Sequence, residues 1–504
     1  MKNLTFLLML ISTYCFSQEK QIQKIASKVS IERLKKNLYY LASEQLEGRD
    51  MGSRGDTLAS EYIMKSFKDN NLVAPYNNGT SYFQAMPFYK KSLVQSELII
   101  GDKKFENRNG WNLSLSNSET LKLDDLSVVF AGYGIEFSNY NDFNNIDVKG
   151  KAVLLLVGQP QDSAGNYLLS GNKQPARIPS AINLLKEKGA ALVLLYNKLL
   201  PETFFQQNTP LVSISRNQIV QNKNVPSIFV SEGIANALLS ASHKTIKSLD
   251  KEIAQTLSPQ SFNVSTNASI NIKIDQTKET APNVIGYIKG TDSAAGCVIL
   301  SAHHDHVGKN GKEIYYGAVD NASGTVAIME IAKLMNNATE KGIRPKRSII
   351  FASYTGEEKG LFGSFHFAEN PIFPIEKTWA VLNIDMMGRV DTFYSGKRAD
   401  SNYAYILVKD TLNRGLRTAL FTANEKLGQL NLDTYYEQPQ FMQRRLTGSD
   451  QYPFFLKGVP FIRIDCGFSK DYHKPTDTPD KINYELLSKQ VKLAFLTTWN
   501  IANN

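Results

Sequence analysis

Cysteine is scarce in this sequence, with 3 residues in 504. Cys15 lies in an N-terminal segment that we expect to be removed, which leaves Cys297 and Cys466. Two cysteines in so long a chain do not make a disulfide framework. Each lies in an apolar run typical of a buried strand, so we predict buried free thiols, with one bridge between them as the open alternative. The sequence therefore excludes a disulfide-stabilised scaffold and offers no thiolate-rich metal site.

Long basic runs and long hydrophobic runs are also missing. The net charge of +9 is mild for 504 residues, and no lysine- or arginine-rich stripe indicates nucleic-acid binding. Beyond the N-terminus, no apolar run reaches the roughly 18 residues that a membrane helix needs. We predict neither a nucleic-acid partner nor a membrane span. The composition leaves the oligomeric state undetermined.

The N-terminus predicts export. Residues 1–17 combine a basic start at Lys2 with an apolar run over residues 4–11. Cys15 and Ser17 occupy the −3 and −1 positions of a cleavage site. We therefore expect a signal peptide that ends at Ser17 and a mature protein that is periplasmic or secreted. Lipid attachment at Cys15 is the open alternative.

The rest of the chain divides into three segments by pattern. Residues 18–119 open with helical spacing around a glycine-rich turn and continue into short extended pieces. Residues 120–262 hold short Val/Ile/Leu-rich strands between Asn/Gly/Pro turns, which is typical of a compact β-rich module. Residues 263–504 alternate apolar strands with amphipathic helices. This last pattern predicts an α/β fold with a mostly parallel central sheet flanked by helices.

Side chains of the metal-binding type follow several of these apolar strands. The preceding runs are CVILSA, RSIIFASYTG, WAVLNI and VPFIRID, and one further carboxylate lies in a loop before a helix. Parallel sheets place their ligand sites at the carboxyl ends of strands, so we expect these side chains to converge. The set is His303, Asp305, Asp320, Glu357, Glu358, Asp385 and His473.

The two histidines and three of these carboxylates suit a pair of divalent ions, with zinc as the first choice. Such ions lie about 3.5–4 Å apart and share a carboxylate and a water, whose pKa falls toward about 7. The adjacent Glu357 and Glu358 allow one carboxylate to bind metal while its neighbour takes the water's proton. Each residue alone also fits a strand cap, a helix start or a turn, so the prediction depends on their convergence.

With these residues in place, the chain resembles peptidase family M28, the secreted zinc-dependent aminopeptidases and their relatives. The matching stretches, between Ala281 and Tyr484, are SAHHDHVG, GAVDNASG, YTGEEKGLFGS, LNIDMMGR and DYHKPTDTPDKI. The resemblance implies the zinc-exopeptidase fold for residues 263–504. Residues 120–262 are similar to the protease-associated (PA) domain inserted in many members. The stretch YLASEQLEGRDMGSRGDTLASEYI resembles the N-terminal segment that packs on the catalytic sheet.

The resemblance also implies a role for each metal-type residue. The first ion takes His303 and Asp385, the second takes Glu358 and His473, and Asp320 bridges both. A cis peptide bond follows the bridging aspartate in some members. These assignments imply two zinc ions per chain.

The resemblance gives further residues roles around these ions. Glu357 is the general base and then the acid toward the leaving amine, Asp305 orients His303, and Tyr472 stabilises the oxyanion. His304 and His306 remain as packing or rim groups, and His366 and His243 as structural residues.

The implied activity is hydrolysis of N-terminal residues of peptides through the metal-bridging water. The alternatives left open are a carboxypeptidase or dipeptidase of the same family, a glutaminyl cyclase-like acyltransferase with one zinc, and a non-catalytic receptor-like homologue. We expect residues 433–450 to contribute to substrate preference. Within them, Ser449 and Asp450 either line the site or cap a helix.

Overall fold

The structure is a computed structural model. It describes residues 18–113, 119–137, 139–161, 167, 178–206, 212–216, 224–392 and 401–504. The predicted signal peptide, with Cys15, lies outside these residues and remains a prediction. Every helix within the described residues is too short or too polar to span a membrane.

Several of the α-helices begin at a polar cap. Ser30 and Ser53 each accept a hydrogen bond from a backbone N–H of the first turn that follows, and Asn483 does the same at the last helix. The helices are α1 (Ile31–Leu41), α2 (Arg54–Asp69), α3 (Ile178–Glu187), α4 (Glu232–Leu239), α5 (Ile246–Thr256), α6 (Ser323–Glu340), α7 (Phe362–Glu369), α8 (Leu416–Ala423), α9 (Pro439–Thr447), α10 (Tyr452–Leu456) and α11 (Tyr484–Asn503).

The β-strands coincide largely with the Val/Ile/Leu-rich runs of the sequence. They are β1 (Phe83–Ile100), β2 (Lys103–Glu106), β3 (Trp111–Asn112), β4 (Leu121–Phe130), β5 (Glu136–Phe137), β6 (Tyr140–Asn141), β7 (Ala152–Leu156), β8 (Leu192–Tyr196), β9 (Val212–Ser215), β10 (Ser227–Val230), β11 (Phe262–Ile288), β12 (Cys297–His303), β13 (Lys309–Asn310), β14 (Glu313–Ile314), β15 (Ser348–Tyr354), β16 (Thr378–Ile384), β17 (Tyr403–Lys409), β18 (Asn431–Asp433) and β19 (Phe461–Asp465).

The chain forms two compact units. Unit 1 combines the described residues up to Pro87 with Thr280–Asn504, and unit 2 is Phe88–Glu279. The segment 120–262, which the sequence marks as an inserted module, lies inside unit 2. Its assignment as a PA domain stays a prediction.

Unit 1 contains the mostly parallel sheet that the sequence predicts. Its strand order is β18-β17-β19-β16-β12-β15-β11. Strand β12 runs parallel to both β15 and β16, and β16 runs parallel to β19. Two pairings are antiparallel, between β17 and β19 and between β11 and β15. The fold class is therefore confirmed.

The central strands of unit 1 are buried on both faces, which explains their continuous apolar sequences. Val298 and Leu300 of β12 share one core with helices α6 and α11. Cys297 and Ile299, on the opposite face of the same strand, share a second core with Phe367 of α7. Helices thus cover both faces of the sheet and leave its strand ends for polar residues.

The strands of unit 2 follow the order β11-β4-β7-β8-β10-β3. Strands β4, β7, β8 and β10 pair in parallel. Every residue of β7 and β8 is buried, as their sequences AVLLL and LVLLY indicate.

Both cysteines of the described chain are buried free thiols. Cys297 lies in β12 and Cys466 directly follows β19. The predicted free thiols are confirmed, and the bridge left open from sequence is wrong.

Candidate metal centre

The predicted metal-type residues lie at one edge of the unit 1 sheet. His303 is the last residue of β12, Asp385 directly follows β16, and Glu357 and Glu358 follow β15. Strands β15, β12 and β16 are parallel neighbours, so their carboxyl ends lie side by side. This topology brings together side chains that are far apart in sequence.

A first donor group consists of His303, Glu357 and Asp385. The Nε2 atom of His303 lies 3.3 Å from Oδ1 of Asp385 and 4.0 Å from Oε2 of Glu357. The other carboxylate oxygen of Asp385 accepts a hydrogen bond from Nη2 of Arg463 at 3.0 Å. One oxygen of Asp385 is thus fixed by an arginine while the other faces the group.

A second donor group consists of His306, Asp320, Glu358 and His473. The Nε2 atom of His473 lies 3.0 Å from Oδ2 of Asp320 and 3.2 Å from Oε1 of Glu358. The Nδ1 atom of His306 lies 2.8 Å from the same Glu358 oxygen. Burial opposes a charge on His473, but hydrogen bonds to Asp320 and Glu358 outweigh it and raise its pKa to about 10.

Asp320 joins the two groups. Its Oδ1 lies 3.4 Å from Nε2 of His303, and its Oδ2 lies 3.0 Å from Nε2 of His473. The peptide bond between Asp320 and Asn321 is cis. One carboxylate therefore presents one oxygen to each side, which is the arrangement that a bridging ligand requires.

The donor atoms fit divalent metal ions of the zinc type. Within each group, every imidazole nitrogen and carboxylate oxygen lies within 4.8 Å of the others. Imidazole and carboxylate are ligands that zinc accepts without thiolates. The structure brings all five predicted ligands together and adds His306 to them. The number of ions and the role of each ligand stay predictions.

Asp305 connects the loop after β12 to the loop after β15, which carries Glu357 and Glu358. Its carboxylate accepts hydrogen bonds from the backbone N–H groups of Glu357, at 3.1 Å, and Glu358, at 3.3 Å. One of its carboxylate oxygens lies 3.6 Å from Nδ1 of His303. Asp305 therefore fixes the backbone of both glutamates as well as facing the imidazole that the sequence analysis assigned to it.

Glu357 and Tyr472 border a cavity of about 130 Å³, together with Asp320 and Asp385. Burial raises the pKa of Glu357 well above its ordinary value. Burial likewise raises the pKa of Tyr472, so its phenol stays protonated and can donate a hydrogen bond. The tyrosine ring stacks on His473 with a centroid separation of 3.9 Å, which fixes it beside the second donor group.

Arginines form another part of the same cavity wall. Arg444, Arg445 and Arg463 line it. Arg445 is buried and donates from Nη2 to Asp465 at 3.0 Å. Its Nε and Nη1 atoms have no hydrogen-bond partner among the described residues. The cavity thus offers buried cationic donors beside Glu357, and two of these arginines come from the stretch 433–450 that the sequence linked to substrate preference.

Arg49 supports the donor loops, although it lies outside the sequence motifs that carry the donors. Its guanidinium is buried and donates to the carbonyl oxygens of His304 at 2.7 Å and Gly317 at 2.9 Å. The neighbouring Gly48 lets this segment approach the loop after β12. It has φ +73°, and a Cβ at this position would lie 2.2 Å from the carbonyl oxygen of Gly308. The predicted packing of the N-terminal segment on the catalytic sheet therefore includes direct contact with the donor loops.

Asp477 is a second supporting residue that sequence analysis gave no role. Its Oδ2 accepts from the backbone N–H groups of Val319, at 3.0 Å, and Asp320, at 3.3 Å. Burial raises the pKa of Asp477 to about 6. The side chain fixes the backbone of the residue that joins the two groups.

The structure agrees with the role expected for His304 and corrects the helix cap expected at Ser449. His304 contacts Ser353 and Ser60, each at 3.0 Å, and is a buried structural residue as expected. The cap assigned to Ser449 is wrong, because α10 has Gln451 at its N-cap and Ser449 accepts instead from Asn383. Asp450 is buried as well, and burial raises its pKa to about 7.

The joined donor groups lie in the part of the chain that a known protein family matches. Residues 283–497 match Peptidase family M28. We therefore assign this part of the chain to that family, as the sequence motifs indicated.

Curated relatives share this region. The Mus musculus protein named Aminopeptidase NAALADL1 is 35% identical over 128 residues, which are 25% of this chain and 16% of that protein. The Zea mays protein named "Probable glutamate carboxypeptidase VP8" is 31% identical over 202 residues, 39% of this chain and 26% of that protein. The chain therefore spans well under two thirds of these relatives.

A solved structure shows the same fold along the chain. The aminopeptidase from Aneurinibacillus sp. strain AM-1 is similar with a TM-score of 0.56. The alignment covers 96% of each chain at 19% sequence identity. At this identity the likeness establishes the shared fold.

Proposed function

We propose that this chain is a zinc-dependent exopeptidase that acts as an aminopeptidase and hydrolyses N-terminal residues of peptides. The observation that carries the proposal is the position of Asp320 between two donor groups, with Glu357 beside the adjoining cavity. The names of the mouse relative and of the similar solved structure agree with an aminopeptidase.

Each protein ligand has a place in this proposal. His303 and Asp385 would hold the first zinc ion, Glu358 and His473 the second, and Asp320 both. Bound zinc supplies a Lewis acid for the peptide carbonyl and lowers the pKa of the attacking water.

The reaction then depends on two side chains at the cavity. Glu357 takes a proton from the attacking water as the new C–O bond forms, and returns it to the amine as the C–N bond breaks. Its burial raises its pKa, which favours a carboxylate that can hold the proton between these two steps. The protonated hydroxyl of Tyr472 donates a hydrogen bond to the carbonyl oxygen as negative charge develops there.

The size of the cavity favours cleavage at a chain end. Its volume of about 130 Å³ equals roughly four water molecules at ~30 Å³ each. Such a space accepts one small terminal group, whereas pockets for larger ligands measure about 300–1,000 Å³.

Replacement of Glu357 by glutamine tests the catalytic assignment. We expect Glu357→Gln to bind zinc as the wild type does and to lose about 100- to 10,000-fold in kcat, the usual contribution of a general base. Zinc content and peptide hydrolysis would be measured on the same preparations. Glu340→Gln, at an exposed position of α6, is the matched control and should retain activity. Wild-type hydrolysis by Glu357→Gln would contradict the proposal.

A carboxypeptidase is the second candidate, because of the arginines. Arg445 has two buried donors without a partner among the described residues, and arginine recognises carboxylates through paired hydrogen bonds. A peptide's terminal carboxylate would satisfy them. The name of the maize relative agrees with this candidate.

Blocked peptides separate the two candidates. One tripeptide would be assayed with both ends free, with an acetylated amine, and with an amidated carboxylate. An aminopeptidase loses activity only on acetylation, a carboxypeptidase only on amidation, and a dipeptidase-like enzyme on either change. Equal hydrolysis of all three forms would refute an exopeptidase.

A further inference from the structure

His306 is the member of the second donor group that the sequence motifs did not indicate. It is fully buried, and its backbone N–H donates to the carbonyl oxygen of Arg49 at 3.1 Å. Its Nδ1 lies 2.8 Å from Oε1 of Glu358, and its donor atom lies within 4.8 Å of those of Asp320 and His473.

The two imidazoles of this group are oriented so that both can reach one point. The rings of His306 and His473 have centroids 5.4 Å apart and an interplanar angle of 81°. Both present a nitrogen to the same Glu358 oxygen, at 2.8 Å and 3.2 Å. A cation next to that oxygen would therefore have one nitrogen available from each ring.

The loop before Asp320 is shaped to admit the His306 ring. Gly317 has φ +57°, and a Cβ at this position would lie 2.5 Å from Cγ of His306. Real Cβ atoms do not approach so closely, so any side chain here would displace the imidazole. The glycine that opens the GAVDNASG stretch thus permits the position of His306.

The two nitrogens of the His306 imidazole have different surroundings. Its Nε2 and the Oδ1 of Asp477 are both buried without a hydrogen-bond partner among the described residues, and the two side chains interact electrostatically. Nδ1, by contrast, faces Glu358 at 2.8 Å, and a cation bound there takes the place of the proton that this pair shares in the metal-free protein. Nδ1 is then the nitrogen that can bind a metal ion.

We propose that His306 is a direct ligand of the second metal ion, which gives that position two imidazoles and two carboxylates. The inference rests on the proposed metallopeptidase function and adds a fourth protein ligand to the second ion. Four protein ligands approach the closed coordination of structural zinc sites, so the second ion should be held more tightly than three ligands would hold it.

Metal binding, rather than activity, tests this proposal. Metal-free wild type, His306→Gln and His306→Ala would be titrated with Zn²⁺ and with Co²⁺. We expect the affinity for one ion to be unchanged and that for the other to fall about 100-fold or more in both variants. Glutamine can still donate to Glu358, so loss in His306→Gln separates ligation from simple hydrogen bonding. His366→Gln, outside both donor groups, is the matched control.

X-ray absorption at the zinc edge gives a second readout. The wild type loaded with two zinc ions should show three imidazoles per chain, each at about 2.0–2.1 Å, and His306→Gln two. Unchanged second-ion affinity in His306→Gln, or two imidazoles in the wild type, would overturn the proposal. Neither result would affect the Glu357 assay, so the proposed peptidase function is judged separately.

Discussion

Removal of Arg49 should loosen both donor loops at once. In Arg49→Met the carbonyl oxygens of His304, Tyr316 and Leu41 lose their donor, whereas that of Gly317 keeps the N–H of Ala322. A buried acceptor left without a partner costs about 1 kcal/mol at the lower end of the measured range. Three such acceptors give about 3 kcal/mol. At roughly 2–4 °C per kcal/mol, unit 1 should melt about 10 °C earlier.

The assay for Arg49→Met needs metal-free protein, because bound ions would stabilise the folded state and mask the change. Melting temperatures would be compared for wild type, Arg49→Met and Arg417→Met after chelation. Arg417 is the matched control, since its side chain is 45% exposed and pairs with Glu437 at the surface. Its loss should cost less than about 1 kcal/mol.

Zinc binding supplies the second readout for Arg49→Met. The carbonyls that it holds belong to the loops of His303 and Asp320, so zinc affinity should fall at least about tenfold. A variant that melts within about 2 °C of the wild type and binds zinc equally would refute the assigned role.

Three further changes test separate parts of the structure. Gly317→Ala should melt at a temperature well below that of its matched control Gly311→Ala. The two glycines have φ of +57° and +59°, but of the two only Gly317 would place a Cβ against other atoms. Equal melting temperatures would contradict this packing. Asp477→Ala should weaken zinc binding about tenfold by freeing two backbone donors, whereas Asp477→Asn, which keeps an acceptor oxygen, should bind nearly as the wild type does. Burial raises the pKa of Asp142 to about 6 from 3.8, so its ionisation opposes folding. Relative to Asp142→Asn, the wild type should lose about 2 kcal/mol of stability between pH 4 and pH 7, and a pH-independent difference in urea midpoints would contradict this.

Most of the donor set could be predicted from sequence because ligand side chains follow the carboxyl ends of parallel strands. Parallel strands are buried and apolar, so their length and their last residue can be recognised locally. The ligand-bearing edge follows from topology alone, without any loop geometry. His303 and Asp385 lie at or directly after strand ends and were found for this reason.

The residues that sequence analysis missed depend on contacts between distant loops. Arg49 lies in a glycine-rich, charged stretch that has the composition of an exposed turn, yet it is buried against carbonyls about 255 residues away. Arg445 lies in a helix whose local pattern is polar, and it is nevertheless buried beside the cavity. Burial of a charged side chain is decided by tertiary packing, which local patterns do not contain.

His306 was not predicted as a member of the donor groups because strand alternation stops at His303. Within a strand, the direction of each side chain follows from a period of two, but the loop after β12 turns according to its contacts with Arg49 and Gly317. The concentration of three histidines in LSAHHDHVG was the available signal. The family resemblance implies a metal-binding role for only one histidine of this motif, so it gave no reason to select His306.

The charges of the centre favour the binding of divalent cations. The two donor groups contain four carboxylates, those of Asp320, Glu357, Glu358 and Asp385. Each is buried or nearly so, and uncompensated carboxylates in such surroundings are costly. Arg463 lies 3.0 Å from Asp385 and offsets part of this charge. Divalent cations beside the donor atoms would offset the rest, and titration of the metal-free protein with zinc tests this prediction.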